Sequence, residues 1–149
     1  MALGTYDDLK VAVARWSARS DLAGDAADFI ALGEAALNRE LQAVETETTL
    51  TGTVGSRSID ISAHSVARPR ALFLTEVTGD EVQLTPKTDG TFPYIDTSGE
   101  PEIWSVDGDN IKFDRPLDQA YSFRFEFSQR FALSDSAPTN WLLTNHPDV

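Results

Sequence analysis

One stretch limits what this chain can fold into more than any other: Ala120-Tyr121-Ser122-Phe123-Arg124-Phe125-Glu126-Phe127-Ser128-Gln129-Arg130-Phe131. Tyr121, Phe123, Phe125 and Phe127 take every second position, with Ser122, Arg124, Glu126 and Ser128 between them. Successive side chains on a strand point to opposite faces, so this is a strand with one aromatic face and one wet face. A helix would scatter the same rings around its circumference. An aromatic wall must be covered by a second apolar layer, so the strand predicts a sheet packed on something.

The N-terminal part reads as two helices. Thr5 can cap the first, and Asp7 and Asp8 lie in its first turn, where the helix dipole favours anions. Tyr6, Leu9, Val13 and Trp16 then form one apolar stripe, and the helix is expected to fade near Arg19-Ser20. Asp21-Leu22-Ala23-Gly24 is a short connector. Asp25 can cap the second helix, with Asp28 placed as in a capping box. Phe29, Ile30, Leu32, Leu37, Leu41 and Val44 line a broad face, and Ala26, Ala27, Ala31, Ala35 and Ala36 raise helix propensity. Two helices so joined make a hairpin. Their stripes serve either core packing or docking onto a neighbouring subunit.

From Thr46 the character becomes strand-like. Thr46–Val54 is rich in β-branched residues. Ile59 and Ile61 alternate with Ser58, Asp60 and Ser62. Val66-Ala67-Arg68-Pro69 is expected to be a loop, because Pro69 removes a donor and restrains Arg68. Arg70–Val77 and Glu81–Thr85 are the next strands, separated by a turn at Thr78-Gly79-Asp80. Residues 86–99 lack regular signals, and Phe92, Tyr94 and Ile95 are expected to pin them to the body. Ile103–Val106 and Ile111–Phe113 flank a hairpin turn at Asp107-Gly108-Asp109-Asn110. Segregation of helix from strand gives an α+β class: an N-terminal helical hairpin, a central antiparallel sheet or sandwich of about seven strands, and a C-terminal helical segment. Asn145-His146-Pro147-Asp148-Val149 reads as the start of a helix, capped by Asn145 and with Pro147 where no donor is needed. Too few residues remain to form one, so the C-terminal helical segment is expected to be incomplete here.

A chain of 149 residues is long enough to bury roughly 70% of its unfolded surface. Its net charge is −12, so it should repel nucleic acid rather than grip it, since DNA binding rests on neutralised phosphates. That charge serves solubility, or a surface past which DNA slides without sticking. With no cysteine there is no disulfide framework and no thiolate site. No apolar run reaches the roughly 20 residues of a membrane span, and Met1–Tyr6 lacks the plan of a signal peptide, so an intracellular origin is expected.

Catalytic machinery is not visible. His64 and His146 lack Cys or carboxylate neighbours at metal spacing. Asp107-Gly108-Asp109-Asn110 lacks the later ligands of a calcium loop. Gly52, Gly55, Gly79, Gly90, Gly99 and Gly108 are isolated turn glycines rather than a phosphate loop, and no Gly-x-Ser-x-Gly elbow occurs. Asp7-Asp8 and Asp80-Glu81 sit where solvated charge is the default. We therefore expect no enzyme, no cofactor and no metal.

Two stretches carry a family resemblance. Asp28-Phe29-Ile30-Ala31-Leu32-Gly33-Glu34, running on to Asn38-Arg39-Glu40-Leu41, resembles the second helix of head-to-tail adaptor (connector) proteins of tailed bacteriophages, with Gly33 where Ala is commoner. Ala132-Leu133-Ser134-Asp135, then Pro138-Thr139-Asn140-Trp141-Leu142-Leu143 and His146-Pro147-Asp148, is similar to that family's second signature. The resemblance implies a single adaptor domain over 1–149: a helical hairpin at 1–45, a β-body at 46–131 and a C-terminal docking segment at 132–149. It implies a virion protein made in the host cytoplasm that forms a homo-oligomeric ring, commonly a dodecamer. That ring would sit between the portal protein and a tail nozzle, tail-tube or stopper protein, with DNA only as the passing genome at ejection and no membrane partner. Phe29, Arg39, Asn140, Trp141, Leu142 and Leu143 are the expected protein-interface residues. Trp141 suits an interface anchor, or else caps the sheet's own core. A reading from another class is a β-sandwich ligand-binding module, for instance for carbohydrate, with Trp104, Tyr94 and Phe92 as a stacking platform.

Overall fold

The computed structural model describes residues 3–40 and 45–146. The chain divides into two compact units, one of Met1–Val44 with Arg130–Val149 and the other of Glu45–Gln129. The first is built from both ends of the chain, and the second is the uninterrupted segment between them.

The central unit is a β-sandwich. Its strands are β1 (Glu45–Thr51), β2 (Ser58–Asp60), β3 (Val66–Thr75), β4 (Glu81–Gln83), β5 (Thr85–Pro86), β6 (Ile103–Asp107), β7 (Asn110–Phe113) and β8 (Ser122–Gln129). One sheet runs β1-β8-β3-β4 and the other β2-β7-β6-β5. The aromatic strand is β8, and it sits inside its sheet with β1 and β3 antiparallel on either side. That position follows from its composition: a strand with a continuous aromatic face loses most if left at an edge. Phe123, Phe125 and Phe127 are all buried. The opposite sheet supplies the layer that covers them. Phe113 stacks on Phe123 with ring centroids 5.1 Å apart, and Trp104 meets Phe125 edge-on at 6.0 Å. Leu50, Leu72, Leu74, Ile59, Ile61, Ile111 and Leu117 complete the core.

The wet face of β8 is organised by charge. The Arg124 guanidinium reaches Glu81, Glu47 and Glu126 and lies 4.2 Å from the Phe73 ring centroid. These are exposed pairs, and they tie three strands together more by geometry than by energy.

Two expectations are corrected here. Val66-Ala67-Arg68-Pro69 is not a loop but the first part of β3, with Pro69 opposite Phe127. Register shifts flank it between Val66 and Arg68 and between Pro69 and Ala71. β4 pairs only with Phe73–Thr75, so Pro69 lies where β3 has a partner on one side, and a bulged edge tolerates the missing donor. Glu81–Thr85 is not one strand. β4 joins the first sheet, while β5 pairs parallel with β6 in the second. Buried Leu84 marks the crossing, and its N–H bonds the Leu72 carbonyl at 2.9 Å. The β5–β6 pair is parallel, while the other strand pairings among the described residues are antiparallel, as expected.

Apart from Pro86, which belongs to β5, residues 86–99 are irregular, as expected. Their anchoring is polar more than apolar, since Tyr94 and Ile95 are exposed. Arg57 donates to the Ile95 carbonyl and to Asp96, and lies 4.9 Å from the Tyr94 ring centroid. The Ile95 N–H donates to Asp114 O. Buried Asp114 accepts from the amides of Glu102 and Ile103 and from Arg115, which satisfies a carboxylate that would otherwise be costly to bury.

The terminal unit holds α1 (Tyr6–Trp16), α2 (Ala26–Glu40) and the short α3 (Trp141–Asn145). Thr5 caps α1 by accepting from the Asp8 amide. α1 stops at Trp16, with Ala18 in the left-handed region at φ 51°, and the connector to α2 is a 3₁₀ turn, Ser20–Asp25. The expected start of a helix at Asn145 is corrected as well. Asn145 is the last residue of α3, and the N-cap is Asn140, whose side chain accepts from the Leu143 amide at 2.8 Å. Leu41, Val44, Pro147 and Asp148, assigned from sequence to helical stripes or starts, lie outside the described residues.

Candidate interaction groove

Within the terminal unit the C-terminal segment is fastened to both helices. Asn38 of α2 holds the backbone of Phe131 from both sides: its amide donates to the Phe131 carbonyl at 2.8 Å, and its carbonyl accepts from the Phe131 N–H at 2.8 Å. A side-chain amide thereby replaces a strand partner where β8 has ended. Pro138 O accepts from the Tyr6 N–H at 2.7 Å. Lys10 of α1 bridges Asp135 at 2.7 Å and Asp7 at 2.8 Å. Those hydrogen bonds, to Asp135 first and Asp7 second, push the Lys10 ammonium above its ordinary pKa.

Between these attachments lies an apolar groove of about 470 Å³. Its walls come from α1 (Leu9, Val13), α2 (Phe29, Ile30, Gly33, Leu37) and the C-terminal segment (Phe131, Leu133, Leu142, Leu143). At Gly33, an added Cβ would meet nothing within 4 Å, so the glycine widens the groove rather than relieving a clash. The rim is aromatic and exposed: Trp16 is 88% and Phe29 45% accessible. One carboxylate lines the groove. Glu34 is half-buried, and its Oε1 is buried with no hydrogen-bond partner among the described residues. Burial pushes the Glu34 carboxyl above its ordinary value of 4.5, with the backbone amide of Leu133 opposing.

The six expected interface residues fall into separate roles. Phe29 forms part of the groove rim and Arg39 is exposed at the end of α2. Asn140 caps α3, Leu143 is buried, and Leu142 faces the groove while half-buried. Trp141 is 47% exposed, with its ring 5.4 Å from that of His146. The helical stripes are revised in two places. Trp16 leaves the packed face of α1 for the rim. Leu32, expected on the broad face with Phe29, Ile30 and Leu37, is exposed on the other side of α2, because it lies about 100° or more around the helix from Ile30, Gly33, Glu34 and Leu37. Sequence reasoning missed Asn38 as a clamp, Glu34 as a groove carboxylate and Lys10 as a tether. Asn38 and Glu34 stand inside the motif of α2, but nothing local says that their partners lie near residue 131 or 133.

The stacking platform of the alternative reading does not form. Trp104 is 2% exposed, and its Nε1 donates to the Leu84 carbonyl. Asp107–Asn110 is a hairpin turn with Gly108 at φ 59° and Lys112 paired to Asp107. His64 packs edge-on against Phe127. Among the described residues, no group of three His, Asp or Glu is placed to hold a metal ion, and no helix is long and apolar enough to cross a membrane.

No curated protein matches the chain. A family model described as SU10 adaptor protein matches residues 4–149, which takes in both units and both motifs. A continuous match over nearly the whole chain shows the family: this chain belongs to the SU10 adaptor protein family of phage structural adaptors.

Proposed function

We propose that the chain is a virion protein that assembles into a ring, joins the portal to the tail and lines the path of the genome. The observation that carries this reading is the groove in the terminal unit. Its aromatic rim stays exposed although the same helices bury Tyr6, Ala26 and Ile30. A family of adaptors has use for such a surface, and large aromatics at its edge are the usual anchors of protein interfaces. Phe29, Arg39, Trp141 and Leu142 are the residues proposed to meet partners, with Asn140 and Leu143 holding the C-terminal segment in the shape it presents. The partners are further copies of the chain, the portal protein above, and a nozzle, tube or stopper protein below. The two units together would form one adaptor subunit, with the β-sandwich as its rigid body.

The charge of −12 fits a wall that DNA must pass without adhering, and we place several carboxylates on the lumen of the ring. The test is assembly. The chain is expressed alone and with the portal protein encoded in the same genome, and particle mass is measured by native mass spectrometry. A ring, or a ring on the portal, is expected. A monomer under both conditions overturns the reading, and a basic inner wall in a reconstructed ring overturns the placement of the carboxylates.

A further inference from the structure

We infer that the groove receives the opposite face of α2 from the next copy of the chain, with the neighbour's Arg39 entering as the partner of Glu34. This inference rests on the ring reading and says which faces make the ring.

The argument starts from the two sides of one helix. At about 100° per residue, Phe29, Ile30, Gly33, Glu34 and Leu37 share one side of α2, and these residues line the groove. Asp28, Leu32, Ala35 and Arg39 share the other side, and all four are exposed. Leu32 is 67% exposed, a large apolar side chain standing on a helix whose neighbouring exposed positions, Ala31 and Ala35, are small enough to let a partner approach closely. Arg39 lies about two turns beyond Leu32 on the same ridge.

The groove and the ridge are complementary in charge at one point. The channel is apolar, and the ridge sets Leu32 and Ala35 between Asp28 and Arg39. A buried carboxylate oxygen without a hydrogen bond faces an exposed guanidinium that forms no ion pair among the described residues. A groove carboxylate favours a cationic occupant, and in this chain acidic residues outnumber basic ones, 24 to 12. Arg39 is a cation on the same helical face as the exposed apolar Leu32, about two turns further along, as an occupant of the groove requires. Complementary patches on opposite sides of one helix make a heterologous contact, and such contacts close into rings when the rotation allows. The copies also repel one another through their net charge, so the contact needs both apolar burial and one local attraction.

The test is a charge swap. Association is read by sedimentation velocity at physiological salt, alone and on the portal, for the wild-type chain, Glu34→Lys, Arg39→Glu and the double variant. Each single variant should weaken association by at least roughly tenfold, since a like-charge pair then faces across the contact. The double variant should recover most of that loss. Helix content by circular dichroism checks folding. Because Glu34→Lys puts a charge into a packed groove, a second measurement avoids it. The chain has no cysteine, so copies carrying Trp16→Cys are mixed with copies carrying Leu32→Cys and oxidised. Cross-links between the two kinds should exceed those within either kind. Rings that form normally from both single-charge variants, or cross-links no richer between kinds than within them, overturn this contact and leave the ring reading standing. A wild-type chain that never assembles overturns both.

Discussion

Removing the Asn38 clamp should loosen the C-terminal segment by a predictable amount. In Asn38→Ala the Phe131 N–H and carbonyl lose both of their 2.8 Å partners. Phe131 is buried, so water replaces the amide poorly. A net contribution of about 1 kcal/mol per hydrogen bond, raised where a buried group is left unpaired, gives a loss of about 2–4 kcal/mol. For a chain of this length that is a drop of about 4–16 °C in Tm. Asn38→Asp separates the two bonds. Its carboxylate can still accept from the Phe131 N–H, but it sets a charged oxygen against the Phe131 carbonyl. That contact favours the protonated side chain and raises its folded-state pKa above the ordinary value of about 3.9. A raised carboxyl pKa means stability that is present at low pH and lost as pH rises through the folded value, so Asn38→Asp should approach wild type in acid and fall toward Asn38→Ala near neutrality. The assay is thermal unfolding followed at 222 nm, where the helices dominate, across a pH series. A loss under about 0.5 kcal/mol for Asn38→Ala, or an Asn38→Asp variant whose difference from wild type does not change with pH, would refute the clamp as a stabilising contact.

Other substitutions probe the core and the groove. Phe125→Ala removes a ring that packs against Trp104 and Phe127 and should destabilise the sandwich by about 3–5 kcal/mol in denaturant unfolding. Gly52→Ala places a Cβ 2.3 Å from Leu117 Cδ1 and 3.2 Å from Phe123 Cε2; because both side chains are fully buried, overpacking should cost about 1–3 kcal/mol, and a neutral result would mean Leu117 has room to move. Glu34→Gln should raise the thermal stability of the unassembled chain at neutral pH. The wild-type carboxyl, held above its ordinary 4.5 by burial, contributes best when protonated and loses that contribution as pH rises through its folded value, so the gain should shrink in acid. The same substitution should weaken assembly, since a neutral amide pairs with Arg39 less strongly.

What the chain determines by itself is whatever rests on periodicity. Period two with rings at Tyr121, Phe123, Phe125 and Phe127 can be satisfied only by a covered strand. Thr5 before Asp7-Asp8 is enough to start α1. Asp107-Gly108-Asp109-Asn110 between two apolar runs is enough to turn a hairpin. The α+β class and the two motifs shared with phage adaptors follow from signals within a few residues of one another. The tertiary structure decided what depends on a distant partner. Pro69 belongs to a strand because β8 is beside it and β4 stops short of it. Glu81–Thr85 divides between two sheets because each half finds a different neighbour. Trp16 stands on a groove rim, and Asn38 and Glu34 acquire their roles from a segment that returns nearly a hundred residues later. A hydrogen-bond donor or an apolar face is local, but its satisfaction is not: α2 carried its groove side and its outer ridge in sequence, and only the packing of chain ends against it distinguished the two.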